Sequence, residues 1–218
     1  MGEKIYHTSY YIAFIFYLIC LVISLRARKR LVRTPLNNFF WYPMLGTIVS
    51  LIIIGYHRQF FNKECYVITM TSSVIFHYVF LSRFIYLVTN KNKSLKTIVI
   101  IGAIIVLSLI VIDIYYYSTF SSSIANILLL TFCLYYFYYL FKAQEVPVLY
   151  LNSEFIMCCG IFLGTALIIP FSFINKYLPI VASSKNVKYI IPSIGISGHL
   201  IMIFSFCKAL LWKKYQRI

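Results

Sequence analysis

Two histidines stand deep inside apolar segments of the sequence, where an ionisable group is costly and therefore a candidate functional residue. His77 lies about 11 residues into the apolar run 66–88, and His199 lies about 11 residues into the run 188–212. At the rise of a helix, both positions are roughly 16 Å deep, near the middle of a bilayer. Both runs cross in the same direction, so the two imidazoles can share one level. One hypothesis is a pair that binds a ligand or handles a proton. The alternative is two neutral imidazoles, each hydrogen-bonded to a neighbouring helix.

Asp113 is the second candidate, and three tyrosines follow it at positions 115 to 117. Asp113 lies near the outer end of the fourth apolar run. A carboxylate there could hold a cation or the amine of a ligand. The alternative is an interfacial acid paired with Lys188 or Arg58, with the tyrosines in the aromatic belt.

Small and polar residues, among them Ser73 and Asn126, crowd one half of several runs. They indicate either close helix packing or an outward-facing cavity beside Pro170 and Pro192, where freed carbonyl groups can be satisfied. The sequence therefore predicts a ligand-binding set that consists of His77, His199, Asn126, Ser73 and Asp113.

Seven apolar runs hold these residues, and each is long enough to cross a membrane as a helix. The chain is 61% hydrophobic and 11% charged, whereas a soluble domain carries about 25% charged residues. We therefore predict an all-α fold, a polytopic membrane protein built as a seven-transmembrane-helix bundle, with residues 1–218 as a single transmembrane domain. The predicted helices cover about 8–25, 38–56, 66–88, 96–115, 121–141, 154–175 and 188–212.

The net charge of +15 is explained by lipid contact and topology rather than by nucleic acid, because the basic residues stand at the ends of the runs. In the predicted arrangement, 14 of the 20 lysines and arginines lie on one side of the membrane and 6 on the other. The richer side is expected in the cytoplasm, which places the N-terminus outside and the C-terminus inside. The strongest topological signal follows the first run: Arg26, Arg28, Lys29, Arg30 and Arg33.

Cysteine and histidine spacing predicts no metal site, cofactor or disulfide framework. Five of the six cysteines fall inside apolar runs, where a thiol acts as a small, weakly polar side chain, and only Cys65 lies near the outer surface. No Cys-x-x-Cys pair occurs, and the histidines lack metal-binding spacing with the cysteines. No catalytic residue is assigned, because the sequence defines no Ser-His-acid geometry.

Three stretches resemble a family of small, uncharacterised seven-helix integral membrane proteins common in Bacteroidetes. These are SSVIFHYVFLSRFIYLVTNKNKSLK, VLYLNSEFIMCCGIFLGTALIIP and GHLIMIFSFCKALLW. The second is similar to a stretch that often reads Asp-Pro-x-Phe-Trp-Ile in that family; here the places are taken by Asn152, Ser153, Glu154, Phe155 and Ile156, without the Pro and Trp. The resemblance implies a multi-pass protein of the bacterial cytoplasmic (inner) membrane and carries no established activity.

Three functions fit these observations. The preferred hypothesis is a receptor- or sensor-like protein with an outward-facing cavity, a small-molecule ligand and a separate signalling partner. The alternative is a small-solute transporter or transporter subunit, although no internal repeat of the kind common in transporters is found. An intramembrane metal-dependent hydrolase ranks third, because Ser73, His77, Asp113 and His199 are one or two histidines short of a catalytic zinc set.

Overall fold

Seven α-helices make up almost all of the computed structural model, which describes residues 2–31, 36, 39–89, 93–116, 120–143, 152–181 and 185–212. None of these residues forms a strand, and the predicted all-α membrane bundle is confirmed. The helices are α1 (Gly2–Leu31), α2 (Trp41–His57), α3 (Lys63–Val88), α4 (Lys93–Tyr116), α5 (Phe120–Ala143), α6 (Ser153–Val181) and α7 (Lys185–Trp212).

Most helices are longer than the apolar runs that predicted them, because helical hydrogen bonding continues past the hydrocarbon into the interface. The exception is α2, which begins at Trp41 rather than at 38. A turn stands before it, closed by hydrogen bonds from Phe39 N–H to Leu36 O and from Tyr42 N–H to Phe39 O. Six helices are long and apolar enough to cross a membrane, and α2 is a shorter apolar helix of 17 residues.

Helix starts are capped where the sequence provides an amide side chain. Asn62 accepts a hydrogen bond from the Cys65 N–H at 2.8 Å at the start of α3. Asn152 accepts from the N–H groups of Glu154 and Phe155 at the start of α6. Asn is among the residues most favoured at this capping position.

Six of the helices form a closed ring in the order α1, α2, α3, α5, α6 and α7, with α7 returning to α1. Helix α4 lies outside this ring against α3 and α5. It is the most apolar of the six long spans, and side chains such as Ile104 and Val111 are exposed along it. The most hydrophobic helix is therefore the peripheral one, as expected where lipid rather than water surrounds the protein.

The ring is tightest between α6 and α7, where Gly164 and Gly198 bring the two backbones together. A Cβ at Gly164 would lie 2.6 Å from the Gly198 carbonyl oxygen, and a Cβ at Gly198 would lie 2.7 Å from the Gly164 carbonyl oxygen. Glycine is required at both positions for this approach. With Gly160, Gly164 completes a G-x-x-x-G pattern typical of membrane helix packing.

Candidate functional site

A cavity of about 900 Å³ occupies one end of the bundle. This end, called here the cavity end, holds the α2–α3 connection and the start of α1. Its walls come from α1, α2, α3, α5, α6 and α7, with Asp113 added from the last turn of α4. All five residues of the predicted ligand-binding set line it, although they come from four different helices: His77, His199, Asn126, Ser73 and Asp113.

The two histidines are in contact across the cavity. Their ring centroids are 5.6 Å apart, and the ring planes stand edge to face at 76°. The Nδ1 atom of His77 shares a hydrogen bond of 3.0 Å with the Tyr42 hydroxyl. His77 therefore has the interhelical bond that the structural alternative predicts, and it lines the cavity as well.

One nitrogen of each histidine is left without a protein partner. His77 Nε2 and His199 Nδ1 are both shielded from solvent and neither has a hydrogen-bond partner. Buried polar atoms are normally hydrogen-bonded, so these two nitrogens are available to a guest molecule or to water. A neutral imidazole can donate at one nitrogen and accept at the other, and the pair can therefore bind a group that both donates and accepts.

Asp113 has a structural task at the start of α5. It is 2% exposed, and its carboxylate accepts hydrogen bonds from the Phe120 N–H at 3.0 Å and the Ser121 N–H at 2.8 Å. The Ser121 hydroxyl donates to the same carboxylate. The carboxylate thus satisfies two of the free N–H groups in the first turn of α5, and its negative charge lies at the positive end of the helix dipole.

The sequence predicted Lys188 or Arg58 as the ion-pair partner of Asp113, and the structure shows a different hydrogen-bond partner for Arg58. Arg58 Nε donates to the Tyr11 hydroxyl at 3.1 Å, which ties the end of α2 to α1. The side chain of Lys188 lies outside the described residues. The cap on α5 is therefore the role that the geometry gives Asp113.

Asn126 and Ser73 present acceptor atoms to the cavity. The Asn126 Nδ2 group donates to the Ser122 carbonyl oxygen at 2.7 Å, which fixes the orientation of the amide. Its Oδ1 atom is buried and has no hydrogen-bond partner. The Ser73 hydroxyl donates to the Met70 carbonyl oxygen at 2.7 Å, so its lone pairs remain as acceptors.

The sequence did not identify the aromatic wall that α1 and α2 contribute. Tyr10, Tyr17, Tyr42 and His57 line the cavity, and the rings of Tyr10 and His57 are 5.7 Å apart. Tyr17 and Tyr42 carry hydroxyl groups within apolar segments, and this was the feature of the sequence that could have indicated a polar cavity wall. It was hidden because tyrosine is frequent in this chain and the aromatic belt explains most of its positions.

Prolines 170 and 192 were expected to loosen the backbone beside a cavity. Both α6 and α7 continue through them. Just beyond Pro170, Phe171 and Ser172 line the cavity, and Gly195 and Ile196 do so after Pro192. Ser172 donates to the Ile168 carbonyl oxygen at 3.1 Å.

The described lining of the cavity carries little charge. Among the described residues, no lysine or arginine lines it, and no group of three His, Cys, Asp or Glu side chains is placed to hold a metal ion. All six cysteines are free thiols. Of the topological cluster, Arg28 covers the Phe40 ring at 4.6 Å at the end opposite the cavity, and the side chains of Arg30 and Arg33 lie outside the described residues.

The fold is that of an integral membrane protein with a helical bundle. The resemblance to the Bacteroidetes family stays a prediction. Comparison with protein-family models, with curated proteins and with solved structures gives no match.

Proposed function

We propose that this protein is a receptor- or sensor-like membrane protein that binds a small molecule in the cavity. The observation that carries the proposal is the set of three buried polar atoms without a protein partner on its walls: His77 Nε2, His199 Nδ1 and Asn126 Oδ1. A membrane protein bundle that keeps such atoms unsatisfied loses stability. A bound molecule that pairs with them recovers that loss, and this supports ligand binding over simple packing.

The distribution of basic residues supports an outward-facing cavity. The dense cluster that includes Arg26, Arg28 and Lys29 lies at the end of α1 away from the cavity. If that end is cytoplasmic, as the positive-inside rule predicts, the cavity faces the outside of a bacterial cytoplasmic membrane. A separate signalling partner would then bind at the cytoplasmic end.

The half of the bundle away from the cavity end is closed, and this supports a receptor over a transporter. Phe206 packs edge to face against both Phe39 and Tyr42 there, and the Phe39 and Phe206 ring centroids are 4.6 Å apart. A transported solute would have to open this aromatic plug, whereas a receptor ligand need only reach it.

Ligand binding can be tested with purified protein in detergent. A library of neutral small molecules is screened by the shift in unfolding temperature, and each hit is measured again with His77→Ala and His199→Ala. We expect a hit whose affinity falls about tenfold in each variant, because one hydrogen bond to a buried imidazole is lost. Tyr138→Ala is the matched control, since it removes an exposed aromatic ring of α5 that does not line the cavity.

Unchanged affinity in both histidine variants would reject the site. Uptake of the same hit into sealed proteoliposomes separates the two remaining functions. A receptor binds the compound without accumulating it in the lumen, and accumulation would make the protein a transporter.

A further inference from the structure

Helices α2 and α3 contact each other through aromatic side chains at two levels, and the stretch of both helices between these levels, which lines the cavity, is called here the α2–α3 gap. Near their connection, the Tyr56 and Tyr66 rings stack with centroids 4.5 Å apart. Deeper in the bundle, the Tyr42 hydroxyl meets His77. Between these two levels, apolar side chains such as Val49 of α2 and Val74 of α3 line the cavity.

The rim of this gap faces lipid as well as the cavity. Ile48 of α2 is 45% exposed and Phe76 of α3 is 48% exposed, and both line the cavity. Counted from the cavity end of each helix, Ile48 is roughly 14 Å deep and Phe76 roughly 20 Å deep. Those depths fall inside the hydrocarbon of a bilayer. A side chain that is exposed at this depth and also lines the cavity points to a lateral opening of the cavity towards the acyl chains.

Leu51 and Val79 provide the comparison on the same two helices. Both are exposed at a similar depth, yet neither lines the cavity. They cover an ordinary lipid-facing surface, and the opening is confined to the side where Ile48 and Phe76 stand.

The polar atoms inside the cavity define the head group that they can bind. Asn126 Oδ1 can only accept a hydrogen bond, so the guest must donate one. The histidine nitrogens require a donor or an acceptor according to tautomer, and a hydroxyl group serves either. No described lysine or arginine would balance an anion, and the Asp113 carboxylate is already engaged by the cap of α5.

From these observations we infer that the cavity binds a neutral amphipathic molecule, a long-chain alcohol in chemical class, which enters from the bilayer between α2 and α3. Its hydroxyl group is held by Asn126 and the histidine pair, and its chain passes between Ile48 and Phe76 into the lipid. The inference rests on the proposed function and names the ligand class and the route.

The test uses the full chain in lipid nanodiscs and two photoreactive probes. One is a long-chain primary alcohol with a diazirine beside the hydroxyl end, and the other is the hydrocarbon of equal length with the same diazirine. After illumination, mass spectrometry compares labelling of Ser73 and Asn126 in the cavity with labelling of Ile104 on the lipid face of α4. We expect the alcohol to label the cavity about tenfold more than the hydrocarbon, and both probes to label Ile104 equally.

Two variants examine the route and the head group. Ile48→Trp narrows the gap and should reduce cavity labelling by the alcohol to the level of the hydrocarbon, while Leu51→Trp, the matched control on the same helix, leaves it unchanged. Asn126→Leu removes the acceptor and should lower cavity labelling about tenfold. If Asn126→Leu does not fold, the inference is still tested by Ile48→Trp, because Ile48 is exposed and a larger side chain there should not disturb the packed interior.

Equal labelling of the cavity by the two probes would overturn the ligand class. Undiminished labelling in Ile48→Trp would overturn the route. If the inference fails while a compound from the small-molecule screen still binds in a histidine-dependent way, the proposed receptor function stands with a ligand that arrives from water. If both fail, the proposed function falls too.

Discussion

The two halves of the bundle differ in how the same helices pack. At the cavity end, α3, α5 and α7 carry Ser73, Asn126 and His199 around an open space. At the opposite end, large apolar side chains such as Leu81, Met157 and Phe206 are completely buried. The length of its apolar run makes each helix suited to a membrane. The side chains in each half then decide whether the helices pack tightly there or leave a cavity. Polar and small residues surround an open space at the cavity end, whereas aromatic residues and methionine fill the opposite half.

Two helix pairs repeat this contrast. Helices α6 and α7 approach closely through Gly164 and Gly198, while α2 and α3 meet through the Tyr56–Tyr66 stack and the hydrogen bond between Tyr42 and His77. Close backbone packing stabilises membrane helix pairs, so we expect the α6–α7 pair to be the more rigid side of the cavity, and the α2–α3 pair is the side where we infer that a guest enters.

The largest expected effect comes from a test of which half of the bundle faces outward, because the labelling is either present or absent. Cys65 is the free thiol near the cavity end, and it is half-buried at the start of α3. If the cavity faces outward, a membrane-impermeant maleimide applied to intact cells should label the protein, and Cys65→Ser should abolish the labelling. Labelling that requires broken cells would place the cavity end in the cytoplasm and reverse the predicted topology.

Removal of an aromatic side chain from the closed half should cost the most stability. Phe206 is fully buried, whereas Phe204, two residues away on α7, is 62% exposed. Phe206→Ala leaves a void and should lower the free energy of unfolding by about 3 kcal/mol, while Phe204→Ala, which faces lipid in both states, should cost well under about 1 kcal/mol. Unfolding in detergent by a graded denaturant measures both. Equal losses would show that the closed half is not tightly packed.

Loss of the Asp113 cap should have an intermediate effect. Asp113→Ala leaves the N–H groups of Phe120 and Ser121 without their acceptor and should cost about 2 kcal/mol of unfolding free energy. Asp113→Asn keeps an acceptor oxygen and should cost less. Since the guest is expected to be neutral, Asp113→Asn should also keep the affinity for any cavity ligand. A large loss of affinity with normal stability would instead make Asp113 the anchor of a ligand amine.

The contact between Tyr42 and His77 should give the smallest effect. Tyr42→Phe removes one hydrogen bond and should cost about 1 kcal/mol. Combined with His77→Ala in a double-mutant cycle, it should show a coupling energy of similar size, since both changes delete the same bond. Additive losses would mean that the hydroxyl and the imidazole do not interact, and that this hydrogen bond does not hold α2 and α3 together.

Cavity-lining residues illustrate how far the sequence leads towards the site. His77 and His199 were identifiable because an imidazole within an apolar run is unusual. Tyr17 and Tyr42 were not, because the same type of residue recurs at both interfaces for unrelated reasons. The cap formed by Asp113 was not predictable either, since it depends on the distance between the end of α4 and the first N–H groups of α5.

Local chemistry in the sequence determined that this protein is a bundle of membrane helices, because the length of an apolar run and the cost of unpaired backbone groups in lipid act within one segment at a time. It also predicted five polar residues as candidates by the cost of burying each one. Only the tertiary structure decided that His77 and His199 touch and that the five residues line one cavity. Those properties depend on distances between different helices, which side-chain packing sets and no single segment contains.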